Sequence, residues 1–129
     1  MNLSKAYWMK GMYKESQEEL EEGLRLEGKP EAAAAAHQAW IRGGEKAVEQ
    51  WGAENIKARA RQGYVYTFSM ASTIAFTGDQ EQTLKYLEQA YREHAPDLIK
   101  VQNEPLFDFL HSDPRYQAQI KKIGLQLVP

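Results

Sequence analysis

The chain has 129 residues, of which 43% are hydrophobic and 26% charged, a composition typical of one globular domain rather than of a disordered or fibrous protein. Its net charge of -2 argues against general binding to a nucleic-acid backbone, which needs a basic excess. The absence of cysteine excludes disulfides, thiolate metal sites and a cysteine nucleophile. The sequence has no apolar run of membrane-spanning length and no signal-peptide pattern, so we expect no membrane association and a cytoplasmic location.

Helical spacing of apolar residues begins almost at the first residue. It predicts a helix from Leu3 to Lys10 that ends near Gly11, and a second helix from Tyr13 to Glu27. The run of glutamates in the second helix is most simply a solvated face. Gly28-Lys29-Pro30 predicts a turn, since Pro30 cannot continue a helix but can begin one. Because Met1-Asn2-Leu3 leads directly into the amphipathic pattern, we expect a piece of a longer protein.

The next segment is rich in alanine. Glu31 to Arg42 has the composition of a closely packed helix, and Gly43-Gly44 predicts its end. A further helix is predicted from Glu45 to Gln62. Gly52 in its middle costs about 1 kcal/mol relative to alanine, so a kink there is an open alternative.

Tyr64 to Phe76 is apolar on nearly every face, which predicts a central helix contacted from several sides. A strand is the local alternative, but no partner strand is predicted elsewhere. Gly78-Asp79 forms the turn of a helical hairpin, and the second helix runs from Gln80 to Pro96.

The last third of the chain has different residue types. Asp97 to Val101 predicts one turn, and Pro105 to His111 a short helix. Asp113 predicts the N-cap of a last helix from Pro114 to Ile123, with Gly124 as its stop.

The turn glycines Gly11, Gly43 and Gly78 are 32 and 35 residues apart, close to the period of about 34 residues of tetratricopeptide repeats. The chain resembles this family. The third repeat matches its pattern best, and the second matches least well, with Gly52 where a large residue is usual. The matches in the third repeat are Thr83, Leu87, Ala90 and Pro96.

The segment from Pro105 to Tyr116 resembles the closing segment of bacterial tetratricopeptide proteins, often signalling or regulatory chains. His111 stands where that segment usually has a basic residue, and Tyr116 where it usually has phenylalanine. The resemblance implies a cap that buries the last hairpin. The burying side chains would be Leu106, Phe107, Phe109 and Leu110.

The resemblance implies an all-α fold of antiparallel helical hairpins, stacked as a short α-solenoid with a C-terminal capping helix. We expect a single domain over residues 1–129. Its repeats would cover residues 1–28, 30–62 and 63–96, followed by a capping segment at 97–129.

In this family the first helix of each hairpin lines a concave groove that receives a peptide or protein. The resemblance therefore implies a noncatalytic interaction module with a groove formed by Lys5, Trp8, Met9, His37, Trp40, Ile41, Phe68, Ser72 and Phe76. Lys5 is the only match in kind to the residues that clamp a terminal carboxylate in some family members, so a chaperone tail is a poor ligand candidate. An amphipathic or extended apolar peptide suits the aromatic groove better.

Three alternatives stay open. In the first, the groove aromatics bind no partner and only pack repeat against repeat. In the second, the chain self-associates as a homodimer through Leu3, Tyr7 and Trp8. As the third alternative, the chain would be a regulatory domain of a DNA-binding protein without DNA affinity of its own. Salt-sensitive DNA binding would contradict that expectation if it involved Arg42, Lys57, Arg59 and Arg61.

We expect no enzyme activity, cofactor or metal site. The chain has no nucleophile elbow, Walker loop or dinucleotide fingerprint. The pairs His94 with Asp97 and His111 with Asp113 lack a recognised metal-ligand spacing, and His37 stands apart from both. An exposed row of glutamates offers no two carboxyl groups in different environments, which acid–base catalysis requires.

Overall fold

The computed structural model describes residues 3–93, 95, 98, 101 and 103–123, and these contain helices and no strand. The prediction of an all-α protein is therefore confirmed. The helices are α1 (Leu3–Met9), α2 (Tyr13–Leu26), α3 (Pro30–Gln62), α4 (Thr67–Ala75), α5 (Gln80–Arg92), a 3-10 helix (Pro105–Leu110) and α6 (Pro114–Ile123). None of the described helices is both long and apolar enough to cross a membrane.

Several predictions fall on parts of the chain outside the described residues. They are the roles of His94, Pro96 and Asp97, most of the turn over residues 97–101, and the helix stop at Gly124.

The chain divides into two compact units, Met1–Gly52 and Ala53–Pro129. The boundary falls inside α3, beside the glycine for which a kink was an alternative. Within α3, however, the residue with non-helical dihedral angles is Gly44, at φ 68° and ψ -152°. The single domain over residues 1–129 and its division into repeats stay predictions.

In the first unit α1 packs against α2. The two helices are joined by reciprocal hydrogen bonds, because the Ser4 hydroxyl donates to the Ser16 carbonyl at 2.8 Å and the Ser16 hydroxyl donates to the Ser4 carbonyl at 2.8 Å. Small side chains at this contact let the two backbones approach closely. The described residues of α1 include none that is fully buried. The buried apolar side chains of the unit are small, namely Ala33, Ala36, Ala39 and Val48.

The predicted helix end at Gly43-Gly44 coincides with Gly44, where two helices that together form α3 meet at a kink. Helical structure continues from Pro30 to Gln62 on both sides of Gly44. Only glycine tolerates this combination of positive φ and extended ψ, because any Cβ would collide with the neighbouring backbone. Gly44 therefore sets the direction in which residues 45–52 of α3 leave the residues before the kink.

In the second unit α4 and α5 form the helical hairpin predicted around Gly78-Asp79. The Asp79 carboxylate accepts a hydrogen bond from the Gln82 backbone N–H at 3.0 Å, which caps the first turn of α5. The Thr83 hydroxyl donates to the Asp79 carbonyl at 2.6 Å. Helix α4 begins at Thr67, three residues later than predicted, and Tyr64 before it is 83% exposed.

Two of the described elements after α5 pack within the second unit, the 3-10 helix on α4 and α6 on α5. Burial is confirmed for Leu106, Phe107 and Leu110, whereas Phe109 is only half-buried. Arg115 joins α6 to α5, since its guanidinium lies 2.7 Å from a carboxylate oxygen of Glu81 and 2.9 Å from one of Asp113. Among the described residues, the bulky apolar side chains that are fully buried all belong to the second unit. They are Ile74, Val101, Phe107, Leu110, Tyr116 and Ile120.

Candidate functional site

The nine predicted groove residues are distributed over both units. Lys5, Trp8 and Met9 lie on α1, and His37, Trp40 and Ile41 lie in the first half of α3, all within the first unit. The other three belong to the second unit, where Phe68 and Ser72 lie on α4 and Phe76 follows its last residue.

Among the described residues the exposed large apolar side chains are concentrated in the first unit. Ile41 is 64% exposed and Met9 40% exposed, so two of the predicted groove residues present apolar surface to solvent. In the described part of the chain these side chains are Leu3, Met9, Met12, Tyr13, Leu26 and Ile41 of the first unit and Tyr64 of the second. Exposed apolar surface of this kind marks interaction sites when it is clustered.

The second-unit candidates have contacts inside the protein. The Phe68 ring packs edge-on against Phe107 of the 3-10 helix, with ring centroids 5.9 Å apart. The Ser72 hydroxyl donates to the Phe68 carbonyl at 3.0 Å. Phe76 is half-buried. The Phe68 ring therefore packs within the second unit, and the packing of groove aromatics repeat against repeat stays a prediction.

Trp8 is held by a pair of glutamates after the kink in α3. Its indole N–H donates to a Glu49 carboxylate oxygen at 2.9 Å. Glu45 lies one helical turn before Glu49 and hydrogen-bonds to it. Burial is the largest of the effects that together raise the pKa of Glu45 from its ordinary 4.5 to about 7. The charge of Glu49 and the hydrogen bond between the two carboxyl groups act in the same direction, and a hydrogen bond from Trp8 acts in the opposite direction.

This carboxyl pair differs from Glu18 and Glu22 of α2, which are exposed. A half-buried carboxyl group with a pKa near 7 can hold or release a proton at neutral pH, so the pair can change charge directly beside Trp8. Sequence reasoning missed both residues. The sequence feature that could have indicated the pair is the spacing of four between Glu45 and Glu49, directly after Gly43-Gly44. Nothing local in the sequence shows that Trp8 contacts them.

His37 contributes to a small pocket on the first unit. Its Nδ1 lies 3.0 Å from a Glu21 carboxylate oxygen, and the Gln17 amide donates to the same oxygen at 2.8 Å. Arg25 lies 3.8 Å from the other oxygen of Glu21. The pocket has a volume of about 250 Å³ and is lined by Glu21, Arg25, Pro30, Ala33, Ala34 and His37.

Both oxygens of Glu21 are already engaged by these neighbours. The Glu21 carboxylate therefore links α2 to α3 through His37 and is bound within α2 by Gln17 and Arg25, so this pocket is best explained as part of the helix packing. In the described part of the chain, no group of three or more His, Asp or Glu side chains could hold a metal ion.

No protein-family model, curated protein or solved structure matches the chain.

Proposed function

We propose that the chain is a noncatalytic helical module that binds a protein or peptide partner through apolar side chains of its first unit. The observation that carries the proposal is the unequal exposure of large apolar residues. Of the exposed large apolar side chains in the described residues, Tyr64 belongs to the second unit, whereas Met9, Ile41 and the others belong to the first. A partner that covers these side chains gains the hydrophobic free energy that the unit itself does not use.

Two helical pairs support a tetratricopeptide-like version of this proposal. Helices α1 and α2 pack together in the first unit, and α4 and α5 in the second. The turn glycines Gly11 and Gly78 have positive φ angles of 74° and 75°. The binding residues would then lie on the first helix of a hairpin, and a cytoplasmic location is part of the same proposal.

Self-association is the second candidate function. Leu3, one of the three residues expected to pair two copies, is 50% exposed, whereas Tyr7 and Trp8 are half-buried and Trp8 is engaged with Glu49. The exposure of Leu3 thus favours a homodimer only at the start of α1. A molar mass twice that of the chain, measured by light scattering, would support it.

The full chain used as bait tests the proposed function. Partners recovered by the wild type should be lost by Met9→Ser and by Ile41→Ser, because truncating an anchor at a binding surface typically weakens binding by about tenfold or more. Tyr64→Ser is the matched control, since Tyr64 is exposed but lies in the second unit. Far-UV circular dichroism verifies that each variant folds. Partners that ignore both first-unit substitutions, or depend equally on Tyr64, would refute the assignment.

A further inference from the structure

The turn between α1 and α2 is a continuous exposed segment. All residues from Met9 to Lys14, which we call the α1–α2 tip, are exposed. Three of its side chains are large and apolar, with Met9 and Met12 each 40% and Tyr13 42% exposed. The Tyr13 ring lies 6.5 Å from the ring of Trp8, centroid to centroid, so the tip continues into the half-buried indole.

The charge of this segment has one sign. Residues 3–14 contain Lys5, Lys10 and Lys14 and no aspartate or glutamate. In the part of the chain that the structure describes, neither Lys10 nor Lys14 forms an ion pair. Two exposed cations therefore flank apolar side chains that have no counter-charge of their own.

Given the proposed binding function, on which this inference rests, we propose that the α1–α2 tip binds an acidic amphipathic segment of a partner protein. Apolar anchors of that segment would contact Met9, Met12 and Tyr13, and its carboxylates would pair with Lys10 and Lys14. Methionine suits such a surface, because its flexible thioether adapts to different anchors. Complementary charge adds partner selectivity and speeds association.

An anionic membrane has the same two attractions, apolar and cationic, but fits the tip less well. Glu15, Glu18 and Glu19 follow the tip directly, and a membrane presents a uniform negative surface that cannot avoid them. A peptide can place its carboxylates over the lysines and other residues over the glutamates. The charge pattern thus favours a peptide.

Fluorescence anisotropy with the full chain tests the proposal. The probe is a labelled helical peptide with leucine anchors at helical spacing and glutamate on its flanks, and matched peptides carry lysine in place of glutamate or serine in place of leucine. The glutamate peptide should bind, and it should bind more weakly at high salt. The lysine and serine peptides should each bind at least about tenfold more weakly.

Variants of the chain locate the site. Met9→Ser/Met12→Ser and Lys10→Glu/Lys14→Glu should each weaken the glutamate peptide by about tenfold. Lys29→Glu/Lys121→Glu changes the net charge equally at two exposed lysines elsewhere and should leave binding within about twofold. Equal losses in both charge variants would mean general attraction and would overturn the proposal.

The remaining outcomes separate this inference from the proposed function. If the lysine peptide binds as tightly as the glutamate peptide and depends on Met9 and Met12, the acidic partner is wrong but the binding surface stands. If no peptide binds and recovered partners ignore Met9, both are wrong. Lysine-dependent binding to phosphatidylserine vesicles without peptide binding would make the tip a membrane surface, and a dimer abolished by Met12→Ser would make it a self-association surface. Either result overturns the inference.

Discussion

Glu45 and Glu49 show how packing against a residue of another helix, Trp8, accompanies a change in the pKa of a carboxyl group. The sequence places them one helical turn apart, and the fold brings the Trp8 indole onto Glu49 from a different helix. Partial burial then raises the pKa of Glu45 to about 7. The pair links the stability of the first unit to pH.

The direction of this pH dependence follows from the raised pKa. Between pH 4.5 and about 7 the folded chain keeps a proton on Glu45 that the unfolded chain has released. The contribution to the free energy of unfolding is therefore fully present below pH 4.5, falls as the pH rises to about 7, and is constant above it. Because Glu45 is only half-buried, we expect a loss on the order of 1 kcal/mol.

Glu45→Gln should remove this pH dependence, since glutamine is neutral and its amide can still donate a hydrogen bond to Glu49. At pH 8 the variant should be more stable than the wild type, and at pH 5 the two should be similar. Urea unfolding followed by tryptophan fluorescence measures this, because Trp8, Trp40 and Trp51 all belong to the first unit. Glu18→Gln is the control, because Glu18 is an exposed residue of α2. A wild-type slope that persists in Glu45→Gln would refute the role of this carboxyl group.

Individual residues of the candidate site were only partly predictable. The family resemblance placed Met9 and Ile41 in a partner-binding groove; both side chains are exposed, and the groove itself stays a prediction. The contact of Phe68 with Phe107 was not foreseeable, since the two residues are far apart in sequence. The hydrogen bond between Trp8 and Glu49 was not predictable either, because these residues are also far apart in sequence.

Gly44 and Gly23 illustrate opposite roles of glycine within helices. Gly44→Ala should destabilise the first unit by about 1–3 kcal/mol, because its φ of 68° with ψ of -152° is accessible essentially to glycine alone. Gly23→Ala should stabilise it by about 0.5–1 kcal/mol, because Gly23 lies in the interior of α2 and an added Cβ meets nothing within 4 Å. Tryptophan-detected urea unfolding of both variants measures the difference. Similar effects of the same sign would contradict the kink assigned to Gly44.

Helix bounds were predictable where local chemistry marks them. Helix α6 runs from Pro114 to Ile123 as predicted, since Asp113 accepts a hydrogen bond from the Arg115 backbone N–H at 2.8 Å. Helix α4 was predicted too long, because Tyr64 to Tyr66 are apolar enough to extend the pattern but have no capping side chain before them. The backbone at Tyr66 is extended, with ψ of 123°. Apolar character alone did not locate this boundary.

At the scale of the whole molecule, the two units differ in how they are stabilised. The bulkiest fully buried side chains, including Phe107 and Tyr116, belong to the second unit. The buried apolar residues of the first unit are three alanines and Val48. Burial of apolar area scales with side-chain size, so the first unit gains less hydrophobic free energy from its own core. The all-helical class was predictable from periodicity, but this inequality depends on packing.

We expect a partner to bind the first unit and to bury apolar side chains that the unit itself leaves exposed. The most direct measurement is denaturant unfolding of the full chain, followed by tryptophan fluorescence for the first unit and by far-UV circular dichroism for all helices, with and without the glutamate peptide. Without peptide, the tryptophan transition should come at lower denaturant than the main loss of helical signal.

Saturating peptide should shift the tryptophan transition upward and leave the later transition unchanged, because a ligand stabilises the unit that it binds by about 2.7 kcal/mol at one hundred times its Kd. A tryptophan transition that does not move with bound peptide, or a shift confined to the later transition, would contradict the claim.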